Sequence, residues 1–191
     1  MKKFLLGLVV GLLMIPLGGY LYFTVGTPPV AVADPPFPFE KQIVHIPLHA
    51  RIDRQMPHNS PMEASDSNLV AGAQIYRANC AFCHGLEGRP ALLGSHLYPP
   101  VPQLWQAHGN HGVVGVSDDP VGETYWKVAN GIRLTGMPAF DKVLNQTQMW
   151  QVSLLVKNAD QPLGADVKQL IEEPLNLSGA SESAPATEPS R

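Results

Sequence analysis

The chain has 191 residues, a formal net charge of −3 and only 15% charged residues, against 45% apolar ones. Its 19 prolines and 17 glycines make about 19% of the chain, above the roughly 12% of average usage, so much of it reads as linker or tail. With no excess of Lys and Arg to meet phosphates it does not read as a nucleic-acid binder, and two cysteines can build neither a disulfide framework nor a four-thiolate zinc site.

Residues 1–23 form the first segment. From Phe4 to Phe23 run twenty residues without a charge, behind Lys2 and Lys3. Twenty helical residues span about 30 Å, the hydrocarbon thickness of a bilayer, and the lysine pair favours a cytoplasmic N-terminus. The expectation is a single membrane helix, with the remainder of the chain exported. Cleavage after Ala31-Val32-Ala33 is the rival reading, but the apolar run is longer than the 7 to 15 residues of a signal core. Residues 24–65 carry eight prolines and read as a spacer, with a short helix at best between Glu40 and Gln55 because Pro47 interrupts it.

Residues 66–160 are the compact part. Ser65 or Ser67 can cap a helix with apolar positions at Leu69, Val70, Ala73, Ile75 and Tyr76. Gly122 to Asn130 reads as a second helix closed by Gly131. Asn145 can cap a third, with Met149, Trp150, Val152, Leu154, Leu155 and Val156 as its apolar set. No strand alternation stands out. Between the first two helices lies a stretch rich in Gly and Pro, from Gly85 to Val121, too long for a small domain unless something other than protein fills the middle. From residue 161 to 191 the composition turns to Pro, Ser, Ala and Glu, and a largely disordered tail is expected.

The chemistry is concentrated in Cys80-Ala81-Phe82-Cys83-His84. Two thiols one helical turn apart can form thioethers with the two vinyl groups of haem, and the adjacent imidazole can reach the iron from the same side. A thioredoxin-like dithiol would want a βαβ context, and a zinc site a second pair of ligands; the sequence offers neither.

Residues 66–160 resemble a class I cytochrome c domain. Gly72 and Tyr76 stand eight and four residues before Cys80, as a glycine and an aromatic do in that family. The string Thr135-Gly136-Met137-Pro138-Ala139-Phe140 resembles its distal-ligand loop, and Met149-Trp150 opens a helix like the one that crosses the first. One departure is Leu154 and Leu155, where many members carry an aromatic against the helix-crossing glycine.

The resemblance implies an all-α fold around one covalent haem c per chain. It makes Cys80 and Cys83 the attachment points, with His84 and Met137 as iron ligands. In the family a proline carbonyl of a Pro-x-Leu turn accepts from the proximal His; Pro102-Gln103-Leu104 matches, with Pro99 and Pro100 as neighbours that could serve instead. Trp126, Trp105, Tyr98 and Arg133 are candidate donors to the haem carboxylates, or else pack on the ring and face solvent. The spaced pairs His45/His49 and His108/His111, and the acids Asp118, Asp119 and Glu123, read as solvated loops and a helix start.

A His/Met iron has no open position, so the implied function is one-electron transfer without catalysis. The carrier would be tethered on the periplasmic side of the cytoplasmic membrane, between redox protein partners. A fixed cytochrome subunit of a respiratory or dehydrogenase complex is the alternative, and a haem sensor or peroxidase-like enzyme a third reading. Six basic and seven acidic residues within 66–160 imply only weak electrostatic steering of partners.

Overall fold

In the computed structural model, residues 1–108 and 112–175 are described. They form seven α-helices and one short 3₁₀ turn, with no strand among the described residues. The chain divides into two compact units, residues 1–48 and 49–191.

The first unit holds helix α1, Lys2–Val25, which has mean hydropathy 2.2 and no buried residue. Its 24 residues, about 36 Å long, are enough to cross a bilayer. Pro16 lies within it without ending it. After α1 the chain turns back at Asp34, whose carboxylate accepts from the Val30 and Ala31 N–H groups at 2.8 Å each; these bonds hold its pKa below the usual carboxylate value.

Helix α2, Glu40–Gln55, is longer than the sequence suggested. Pro47 sits inside it, yet the missing N–H removes one i→i−4 bond and leaves the exposed Ile43 turn to solvent. The part of α2 from His49 onward belongs to the second unit, where Ile52 is fully buried and the Gln55 side chain accepts from Trp126 Nε1 at 3.3 Å. The segment expected as spacer, residues 24–65, therefore contributes its part from His49 onward to the second unit.

The core of the second unit is the crossing of α3, Asp66–Asn79, with α6, Gln146–Lys157. Ser65 is the N-cap of α3, accepting from Asn68 N–H. Asn145 caps α6 through a reciprocal pair with Gln148, both bonds at 2.9 Å. Side chains at 69, 73 and 76 of α3 meet those at 149, 152, 155 and 156 of α6, as the 3.6-residue period requires. Gly72 lets the two backbones touch: a Cβ there would stand 2.4 Å from the Gln151 carbonyl oxygen and 3.1 Å from Leu155 Cβ. Leu155, fully buried, takes the position where the resemblance set an aromatic, and the aromatic Trp150 instead stacks on Tyr125 at 4.1 Å.

Helix α5, Val121–Asn130, packs on α6 and ends at Gly131, whose φ of 66° allows the chain to turn back. Between α3 and α5 come the single turn α4, Ala81–His84, the 3₁₀ turn Leu93–His96, and irregular chain.

Helix α7, Ala165–Glu172, lies within the stretch expected as disordered tail. Val167 and Ile171 are buried against α3, and the Arg77 guanidinium of α3 donates to the carbonyls of Leu170, Glu173 and Pro174. The Glu87 N–H, just past the cysteine pair, donates to Ile171 O at 3.1 Å. The low hydrophobicity of the tail as a whole conceals this two-turn amphipathic piece, which is held by contacts with residues far away in sequence. Folded structure thus extends beyond Asp160 to at least Leu175, and residues 176–191 lie outside the described residues.

Candidate functional site

The C-terminal end of α3 carries Cys80 as its cap, and α4 follows at once, so Cys80, Cys83 and His84 leave the same turn. The N–H groups of Cys83 and His84 both point back to Cys80 O, at 3.1 and 2.9 Å, which fixes this turn. Tyr76, buried one turn earlier on α3, donates its hydroxyl to Gly85 O at 2.8 Å and so ties the far end of α4 to the helix before it.

These residues open into a cavity of about 250 Å³. Its walls come from several segments of the second unit. Tyr76, Asn79, Cys80, Cys83 and His84 form one; Pro99 to Pro102 with Leu104 another; Thr124, Lys127 and Val128 come from α5, and Val152 and Val156 from α6. Ile132 and the run from Thr135 to Pro138, followed by Phe140, supply the last. The five residues singled out from the sequence, Cys80, Cys83, His84, Pro102 and Met137, all line this one cavity.

Met137 is presented by a loop closed on itself. The Ile132 N–H donates to Met137 O at 3.2 Å, the Thr135 hydroxyl donates to Ile132 O at 2.7 Å, and the Met137 N–H donates to Thr135 Oγ1 at 3.1 Å. A further bond from Phe140 N to Val128 O, 3.0 Å, pins the loop to α5. His84 Nδ1 lies 2.9 Å from the Pro102 carbonyl oxygen, so of the three prolines considered Pro102 is the partner. With Nδ1 carrying the proton in that bond, the lone pair resides on Nε2.

Burial sets the protonation of the site. The apolar surroundings lower the His84 pKa below the usual histidine value, against the raising effect of the Pro102 carbonyl. Burial and the neighbouring Cys83 push the free Cys80 thiol up to about 12. The one charged group on the cavity wall, Lys127, is neutralised by Glu123 at 2.6 Å and Asp119 at 3.4 Å, so these acids serve an ion-pair cluster beside the cavity rather than a solvated helix start.

The carboxylate donors proposed from the sequence fare differently. Trp126 donates to Gln55, Arg133 is exposed, and neither they nor Tyr98 and Trp105 line the cavity. Trp105 is buried edge-on to Tyr76, with ring centroids 5.7 Å apart, and its Nε1 has no protein partner. Sequence reasoning missed Thr124. It is 7% exposed on the cavity wall, and its hydroxyl has no partner, whereas the other buried hydroxyl of this kind, Ser153, bonds Met149 O at 2.7 Å. Of the histidine pairs, His108 bonds the Gln106 carbonyl, His111 lies outside the described residues, and His45 and His49 sit on α2.

Apolar walls, two thiols and an imidazole on one turn, a thioether on a fixed loop and an unpaired buried hydroxyl suit a flat, largely apolar macrocycle with a metal and polar edges. Comparison with known proteins agrees with this chemistry. Residues 67–154 match the family described as "Cytochrome C oxidase, cbb3-type, subunit III". No curated protein and no solved structure matches the chain. On the family match, the chain carries a c-type cytochrome domain whose prosthetic group is covalently bound haem c.

Proposed function

We propose that this domain passes single electrons, with Cys80 and Cys83 as the residues that would attach the haem through thioethers and His84 and Met137 as those that would ligate its iron. When bound, the haem supplies a one-electron couple, whose potential a thioether ligand raises. The protein's own part is to hold that couple still and dry. The observation that carries the reading is that all these side chains bound one apolar cavity, with the His84 Nδ1 engaged by Pro102. The self-bonded loop from Ile132 to Met137 keeps the thioether in place across a change of charge, so little reorganisation accompanies transfer. With His84 and Met137 both holding the iron, the domain would serve as an electron carrier.

Helix α1 has the length and composition of a single-pass anchor. In the proposed arrangement Lys2 and Lys3 hold its N-terminus in the cytoplasm, and the haem domain lies on the periplasmic side of the cytoplasmic membrane. Such a tether raises the effective concentration of the domain at membrane-bound redox partners. A fixed place in an oxidase complex is the second reading, favoured by the description of the matching family.

Two measurements test this. The oxidised protein is expected to show the weak red charge-transfer band of methionine–Fe(III), and the reduced form to bind CO slowly; absence of the band with rapid CO binding overturns the ligand assignment. Mild detergent extraction separates the two settings: a monodisperse single chain marks the carrier, a stable large complex the subunit.

A further inference from the structure

The proximal side of the cavity contains a side chain that neither attachment nor ligation uses. Residues 99, 100 and 102 are prolines and have no N–H, so from Tyr98 to Gln103 the backbone has few donors with which to fasten itself. Val101 N–H donates to Gly94 O at 2.9 Å, and that is the single backbone donor from residues 99 to 102. Yet this stretch must deliver the Pro102 carbonyl to within 2.9 Å of His84 Nδ1.

The side-chain amide of Gln103 supplies what the prolines lack. Its Nε2 donates to Cys83 O at 3.1 Å and to Val101 O at 3.2 Å, and its Oε1 accepts from the Ala91 N–H at 2.6 Å. One planar group thus joins the attachment turn, the loop at Ala91 and its own irregular segment. Its two backbone neighbours both engage His84: Pro102 through its carbonyl, and Leu104 through an N–H donated to His84 O at 3.1 Å. The space around it is specific, since a Cβ on Gly94 would stand 2.5 Å from Cys83 O and 2.6 Å from Gln103 Nε2.

We propose that Gln103 is a positioning residue for the proximal histidine: its amide locks the Pro102 carbonyl onto His84 Nδ1 and thereby sets how strongly that imidazole donates to the iron. This rests on the reading that His84 is an iron ligand. A firmly accepted Nδ1–H makes the imidazole more basic and favours the ferric state. Loosening the carbonyl therefore favours the ferrous state.

The test uses the full-length, haem-loaded protein in detergent. Gln103→Met keeps the length of the side chain and removes all three bonds. It is expected to shift the ferrous-to-ferric ratio at fixed potential by up to about tenfold toward ferrous, an upward move of up to about 59 mV for one electron. It is also expected to accelerate solvent exchange of the His84 Nδ1 proton in the NMR spectrum of the reduced protein. Arg77→Ala, which loosens α7 and touches none of these atoms, is expected to lower the melting temperature while leaving both readouts unchanged. A Gln103→Met protein that is merely less stable, with potential and proton exchange as in the wild type, overturns the proposal. Should that variant fail to load haem, the wild type decides: slow exchange of the Gln103 amide protons supports the lock, and exchange at the rate of a free amide overturns it. Failure of the underlying reading would show separately, as a wild-type spectrum without a low-spin histidine-ligated haem.

Discussion

The Gln151 carbonyl of α6 stands over Gly72 of α3 so closely that a single added carbon would lie 2.4 Å from it. A backbone carbonyl cannot swing aside as a side chain can, so the helices would have to separate. Alanine gains about 1 kcal/mol of helix propensity over glycine, but overpacking a core costs typically 1 to 3 kcal/mol and here meets rigid backbone. Gly72→Ala is therefore expected to lose about 2 kcal/mol net, a fall of roughly 10 °C in melting temperature by differential scanning calorimetry.

The reciprocal cap between Asn145 and Gln148 starts the helix that carries more buried residues than any other described helix. Asn145→Ala leaves the Gln148 N–H without its acceptor and is expected to cost about 1 kcal/mol, or roughly 5 °C. Because neither residue lines the cavity, the absorption spectrum should be unchanged.

Ile171 is fully buried on a helix that the family match does not reach. Ile171→Ala is expected to cost about 3 kcal/mol in chemical denaturation, as for other aliphatic residues truncated in cores. A loss below about 0.5 kcal/mol would mean that α7 does not pack as described.

Met137→Ala removes the thioether from the cavity while keeping the loop bonds of Ile132, Thr135 and residue 137, which are made by backbone and hydroxyl groups. The expected outcome is loss of the red band, rapid CO binding by the reduced protein and a lower potential, with covalent haem retained. An unchanged spectrum would remove Met137 from the iron.

What could be read in the sequence was local. The cysteine pair with its histidine, the caps at Ser65 and Asn145 and the glycine after Asn130 each act within four or five residues, and each sits where expected. Pro102 was legible only as one of three prolines, because the choice among them depends on how the loop lies against His84. Gln103 was invisible for a related reason: beyond nearby Val101 its partners are the Cys83 carbonyl and the Ala91 N–H, 20 and 12 residues away, and no spacing rule connects an amide to them. Trp126 shows the converse, a plausible donor by type that the fold turns toward Gln55. Helix α7 was hidden in the average composition of its surroundings, since its stability comes from Val167, Ile171 and a guanidinium contributed by α3.

The reach of Arg77 to carbonyls as far as Pro174, 97 residues on, has a temporal side. A ribosome releases the chain in one direction, so the thiol-bearing turn is made long before its outer cover exists. During that interval the face of α3 later sheltered by α7 lacks its cover. Helix α7 thus couples a late-made segment to the helix that leads into the thiol-bearing turn, and this face of the domain closes only once residues 165–172 have been made.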